Sequence, residues 1–359
     1  MKRISLKSVL VMLMFMLFSC NETVVTNIVH PDGSVTRRIV IKDPEGKYDN
    51  NYNPENYRVP FDSTWNITDS FEISEKGDTI WIRTAEKLFK NIEEINEEYK
   101  NDKGSNRNFV REARFSKKFH WFNTIYTFSE NIDKTFYYGY PVEQYLTKQE
   151  LEYFYLPESV LADRRNGPDS TNVRQIEDSV EYKSGKWMLT CWISEWNGEF
   201  QKLAEKKGEW DANKEFLKTQ YSGIVNNLEK SLKDTGEINL DTIFYKILNN
   251  VFGDELYVTF RPEIDSSVKV FVERFETANK FEDYSVRTLM PGKLVATNGF
   301  IDQNGEILWP AKMKFFLVQP YEMWAESKTS NTWAWVVSGL FLLFVITGLV
   351  FRIIKKSGR

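Results

Sequence analysis

Reactive side chains are scarce in this chain. Its 359 residues include two cysteines, Cys20 and Cys191, and two histidines, His30 and His120. If Cys20 is otherwise engaged, Cys191 has no disulfide partner and the fold must be held by packing. Zinc-site spacings are missing, as are Gly-x-Ser-x-Gly, Ser-x-x-Lys and a phosphate-cradling glycine loop. His30 stands beside a turn and His120 between Phe119 and Trp121, so both read as ordinary strand residues. Glu93, Glu94, Glu97 and Glu98 read as the solvated face of a helix, and Asp43, Glu45 and Asp49 miss the calcium-loop pattern. With 51 acidic side chains some close carboxylate pair is inevitable, so none can be singled out as a glycosidase pair. No catalytic residue, metal ligand or cofactor is assigned.

Long apolar runs are also few, one at each end. Residues 9–18 are apolar without a break, preceded by Lys2, Arg3 and Lys7. Ten helical residues reach about 15 Å, half a hydrocarbon core of about 30 Å, which fits a cleaved export leader over residues 1–19. The motif Leu17-Phe18-Ser19-Cys20 resembles the lipobox of bacterial lipoproteins. That resemblance implies a diacylglyceryl group on Cys20 and cleavage just before it; a plain secretory leader that ends in a cysteine is the alternative.

At the other end, residues 333–350 carry no charge, and Phe351, Ile353 and Ile354 extend the run. A transmembrane helix is expected over 332–354. Trp333 and Trp335 fall where an aromatic belt lies, and Arg352, Lys355 and Lys356 mark the far boundary. Positive charge stays cytoplasmic, so the tail 355–359 is expected inside and the body outside, the orientation an export leader also demands. Helical spans belong to inner membranes. The expected address is therefore the cell inner membrane, with a periplasmic ectodomain touching membrane lipids through both anchors. Two anchors would hold both ends of the ectodomain close to one membrane surface.

Setting aside the seven positive charges of leader and tail changes the net charge from −4 to about −11. Such a body does not suit nucleic acid, and anionic headgroups repel it unless it carries a local basic face. Aromatic residues make up 15% of the chain, with eleven tryptophans, ample for one large core or two coupled ones. Cys191, among Trp187, Trp192 and Ile193, reads as a small buried apolar residue.

Three regions separate by period. Residues 20–140 are strand-rich. Segments 23–30 and 35–41 flank Pro31-Asp32-Gly33-Ser34, and 65–73 and 79–84 flank Glu75-Lys76-Gly77-Asp78, so two hairpins are expected. A polar loop over 44–60, a charged helix over 86–100 and a long strand or bent pair over 109–130 complete this part. Residues 141–283 turn helical, with a first helix over 142–162 and a tryptophan stripe, Trp187, Trp192 and Trp196, that reads as helix–helix core. Residues 284–328 return to strands, expected over 294–301, 306–309 and 312–318, with a short polar link 327–331 leading to the membrane. The fold class is α+β: a mainly antiparallel sheet from both ends, a large helical insert and one C-terminal transmembrane helix.

Met290-Pro291-Gly292-Lys293, Thr297-Asn298-Gly299, Gly305 and Trp309, with Asp32-Gly33-Ser34 near the start, resemble parts of LppM-like envelope domains. The resemblance implies a membrane-tethered α+β module, carries no catalytic residue across, and raises a lipid- or headgroup-binding role. Three function classes are open: a non-enzymatic envelope scaffold or accessory binding module with a membrane-protein partner, a lipid or amphiphile binder, and an envelope hydrolase. The first fits two anchors and a lack of catalytic motifs best.

Overall fold

A computed structural model of the chain describes residues 22–43, 61–74, 77–104, 106–207, 209–235, 240–302 and 304–357. The leader, Cys20 and the loop expected over 44–60 lie outside them.

Alternation of buried and exposed positions sets the first strands. β1 (Glu22–Val29) and β2 (Val35–Asp43) pair antiparallel from Val29↔Val35 to Glu22↔Lys42. Between them Gly33 takes φ +95, and the Asp32 carboxylate accepts from Ser34 N at 3.0 Å, closing the turn. β3 (Asn66–Ile73) and β4 (Thr79–Phe89) form the second hairpin, with β4 also paired to β2. β4 runs past Thr84 into the charged stretch expected to open a helix. Pairing of Phe89 with Val35, and its burial, outweigh the helix-favouring composition. Helix α1 (Ile92–Lys100) starts only after Asn91, whose side chain accepts from Glu94 N at 3.0 Å. The alternating stretch expected over 109–130 is a hairpin, β5 (Arg111–Phe119) and β6 (Asn123–Ile132). The Asn96 side chain of α1 bonds both Ala113 N (2.7 Å) and Ala113 O (3.0 Å), covering the free edge of β5 there.

The single helix expected over 142–162 is broken into a 3-10 turn (Val142–Gln144), α2 (Lys148–Phe154) and α3 (Glu158–Arg165). Thr147 and Glu150 form a capping box that starts α2, and Pro157 separates α2 from α3. α4 (Ser170–Ala204), 35 residues long, is the axis of the insert. Around it come α5 (Glu209–Thr219), α6 (Tyr221–Thr235), α7 (Leu240–Phe252), α8 (Asp254–Thr259) and α9 (Arg261–Asn279). The tryptophan stripe is core: Trp196 stacks on Phe200 at 5.5 Å and meets Phe244 edge-on at 5.1 Å, while Trp192 meets Phe275 at 4.9 Å.

After the insert, β7 (Tyr284–Leu289) pairs with β1 in parallel, followed by β8 (Lys293–Thr297), β9 (Phe300–Ile301), β10 (Ile307–Ala311) and β11 (Tyr321–Ser330). Two sheets result, a seven-stranded one ordered β3-β4-β2-β1-β7-β10-β9 and a four-stranded one ordered β5-β6-β11-β8. The fold is thus α+β and mostly antiparallel, with strands from both sides of the insert in each sheet. Where one strand is expected over 294–301, the chain changes sheets between β8 and β9. Asn298 stitches that corner: Oδ1 accepts from Trp309 Nε1 and Trp324 N, both at 2.9 Å, and Nδ2 donates to Glu322 O at 2.6 Å. The strand expected over 312–318 is instead a 3-10 turn, Met313–Phe316. Met313, Phe315, Phe316 and Leu317 are all buried, which an alternating strand with one face in the core cannot achieve.

Helix α10 (Thr332–Ser357) follows β11 with Asn331 alone between them. Residues 327–330, expected as a loose link, are paired to β6 down to Ser330↔Asn123. The N-terminus also departs from expectation. β1 runs parallel to β7, and β7 leads into β8, whose Lys293 lies opposite Lys328 near the start of α10. At the same end, Lys117 Nζ donates to Pro31 O at 2.9 Å. The Val29 end of β1 therefore lies toward α10, and Glu22 is at the opposite end of the strand, about 23 Å along it at 3.3 Å per residue. The two ends of the ectodomain are not side by side.

Candidate functional site

Two constellations stand out, one between the sheets and one where β11 becomes α10. In β2 the buried face reads Val35, Arg37, Ile39, Ile41; in β6 it reads Tyr126, Phe128, Glu130, Ile132. Each strand thus aims one charge into the core, and the two meet: the Arg37 guanidinium pairs with Glu130, with side-chain exposures of 2% and 6%. Arg37 Nε donates to Asn27 Oδ1 at 2.8 Å and its terminal nitrogen to Tyr99 Oη at 2.8 Å; Tyr99 in turn donates to Glu130 at 2.8 Å. Arg111, over the Tyr99 ring at 4.6 Å, pairs with Asp102, which also accepts from Gly104 N at 2.6 Å. Burial works against the Arg37 cation, but Glu130 and Tyr99 outweigh it and hold its pKa above the ordinary value. Burial drives the Tyr99 phenol well above its usual range and raises Asp102, the latter against the pull of Arg111.

This network is balanced: two guanidinium groups face two carboxylates. Part of it, with Thr23, Val25, Ile39 and Tyr284, lines a cavity of about 20 Å³, room for a single water and far below a ligand pocket of several hundred Å³. Neither the network nor the cavity lining includes a serine, cysteine or lysine. Outside this network the buried carboxylate of Glu195, on α4, accepts from Tyr137 N (3.0 Å) and Tyr138 N (2.9 Å) and pairs with Arg274 of α9, tying the segment after β6 to the insert. Cys191 is buried, and desolvation pushes its thiol up to about 11, so it is a packing residue. Burial, then Lys312, brings the Lys314 amine down to about 8 above the Phe154 ring at 4.7 Å. Among the described residues no hydrogen-bonded acid or base accompanies Lys314, and no group of three or more His, Cys, Asp or Glu could hold a metal. Arg37 and Glu130 belong to no recognised sequence motif, although a charge at an inward position of an alternating strand is a visible sign of such a centre.

The second constellation gathers the anchor residues read from the sequence. Thr332–Ile353 is long and apolar enough to cross a membrane and is exposed along nearly all its length. Trp333 and Trp335 lie in its first turn, Arg352 is exposed near its end, and Lys355 and Lys356 fall in the last helical residues. Cys20 lies outside the described residues. The tip of the β5–β6 hairpin, not anticipated as part of any site, clasps the start of α10. Phe119 stacks parallel on Trp333 at 6.3 Å, Trp121 meets Trp333 edge-on at 5.1 Å, and Phe122 meets Trp335 at 4.3 Å. Trp121 Nε1 donates to Ser338 Oγ at 2.9 Å. Asn331 is tied on all sides: its N–H donates to Phe122 O (3.0 Å), Nδ2 to His120 O (2.7 Å), and Oδ1 accepts from Thr124 Oγ1 (3.0 Å). The helix is therefore a continuation of the four-stranded sheet, held by an aromatic collar.

The residues that resemble LppM-like domains have structural duties. Gly292 takes φ +77, and a Cβ there would stand 2.4 Å from Lys328 O; at Gly299 it would stand 2.5 Å from Ile307 and Trp309. Asn298 and Trp309 make the corner between sheets described above. Compared with protein-family models, curated proteins and solved structures, the chain matches none.

Proposed function

We propose that this chain is a non-enzymatic module of the bacterial envelope, a lipoprotein of the inner membrane whose ectodomain is periplasmic and whose tail is cytoplasmic, serving as a scaffold or accessory subunit for a membrane protein. The observation that carries the reading is the β11–α10 junction: a folded body is joined to an apolar helix through one bonded residue, Asn331, with no slack. Rigid coupling suits a part that must present one face at fixed height and angle beside a partner in the same bilayer. The leader, the lipobox-like Cys20 and the basic tail support the address. The buried network supports a structural role, because its charges are already paired and its cavity admits only water. That cavity also gives no support to an amphiphile bound between sheets and helices.

The test is a native pull-down of the full-length protein from detergent-solubilised membranes, with mass spectrometry of proteins and lipids. One stoichiometric membrane protein is the expected result. Repeated recovery of the chain alone would count against a scaffold, and recovery with one defined lipid would replace it by an amphiphile binder.

A further inference from the structure

We propose that the end of the four-stranded sheet nearest α10 is a docking surface for anionic lipid headgroups, formed by Lys118, Lys328 and Lys293 behind the aromatic hairpin tip. This rests on reading α10 as membrane-spanning. The strand register makes the row: Lys118 lies opposite Ile125, Ile125 opposite Lys328, and Lys328 opposite Lys293. Directly opposed residues share a face, and strands stand about 4.8 Å apart, so three ammonium groups line up across about 15 Å of one sheet surface. All three are exposed, and none pairs with a carboxylate among the described residues. The nearest acid on that face of β11 is Glu326, one step farther from α10. In a body of about −11 net charge this is a local reversal of sign placed beside the helix, the condition that lets an acidic domain approach an anionic surface.

The hairpin tip fixes the height. His120 and Asn123 exchange backbone hydrogen bonds around a two-residue connection, a place where Asn-Gly or Asp-Gly is usual. Here it holds Trp121 and Phe122, 47% and 39% exposed, and no described non-glycine residue has a positive φ. Turn chemistry does not call for two large aromatic rings; a headgroup-level environment does. Arg352 lies about 28 Å along the helix from Trp333 at 1.5 Å per residue, close to one hydrocarbon thickness. The membrane boundary therefore passes through Trp333 and Trp335, and Trp121, bonded to Ser338, reaches that depth. The lysine row then stands at the phosphates.

The experiment reconstitutes the full-length chain into nanodiscs of phosphatidylcholine alone, or with about one third phosphatidylglycerol, and follows hydrogen–deuterium exchange. Peptides covering 117–123 and 293–297 should exchange about tenfold more slowly in anionic discs, an advantage lost in the K118Q/K293Q/K328Q variant. Unchanged exchange in the seven-stranded sheet would show that this surface variant is folded. Equal exchange of the tip in both lipids, or a difference that survives the triple substitution, overturns the headgroup surface. Failure of the chain to enter either disc overturns instead the spanning reading of α10.

Discussion

Arg37 occupies a position that its strand neighbours fill with Val35, Ile39 and Ile41, and Glu130 sits likewise between Phe128 and Ile132. A charge in such a place is tolerable only because a partner cancels it and hydrogen bonds satisfy what remains. Removing one partner should therefore cost more than removing both. Arg37→Met or Glu130→Leu alone should each lower stability by about 3–5 kcal/mol, a large share of a typical total of about 5–15 kcal/mol. The double variant should lose much less than the sum, as read from urea unfolding of the detergent-solubilised protein. Additive losses would show that the two side chains are not coupled. The parity of both strands exposes the two inward charges in the sequence. Their meeting is not visible there, because 93 residues separate them and the pairing of the sheets decides it.

Two glycines of α4 make the same point for elements. In a helix interior, Gly→Ala ordinarily stabilises by about 1 kcal/mol. Gly185 is exposed with nothing within 4 Å of a built Cβ, so Gly185→Ala should raise stability by about that amount. At Gly198 the same Cβ would stand 2.5 Å from the Tyr138 ring, whose backbone is pinned by Glu195. Gly198→Ala should therefore lower stability, by about 1–3 kcal/mol, and thermal unfolding of the two variants checks the opposite signs. Equal stabilisation by both would mean that Tyr138 yields freely. Element boundaries were legible where they rest on local chemistry: the Asp32-Gly33-Ser34 turn and the start of the insert after Pro141. They were illegible where tertiary packing overrides the local pattern. The β5–β6 turn carries two aromatic rings in place of turn formers, and Met313–Phe316 looks like a strand because nothing local says that both of its sides are buried. Thr147 and Glu150 did write their capping box into the sequence, with Pro157 after it, and so could have divided the helix expected over 142–162.

At the scale of the whole molecule, the lipid proposed on Cys20 and the helix α10 would pull against one another. The collar fixes the four-stranded sheet to α10, and the pairing of β1 with β7 puts Glu22 about 23 Å along the strand from the end of β1 nearest α10. Cys20 precedes Glu22 by two residues, about 7 Å of extended chain. Acyl chains on Cys20 therefore cannot enter the bilayer that holds α10 while β1 keeps its register and the domain stands upright. Either the domain tilts, breaking the contacts of Phe119, Trp121 and Phe122 with α10, or β1 leaves β2 and β7. Peeling β1 breaks its ladders with both β2 and β7 and takes Val25, Val29 and the Asn27 that holds Arg37 out of the core, whereas tilting parts rings that are already half exposed, so the collar is the weaker element. In nanodiscs, the amides of 119–123 should exchange faster in the lipidated protein than in a form exported by an ordinary cleavable leader and lacking Cys20, with β1 and β7 unchanged. Both forms should remain in the disc, because α10 is sufficient to hold them. Faster exchange in β1 with 119–123 still protected would show that the strand yields instead, and equal exchange at both places would show that no acyl chain enters that bilayer.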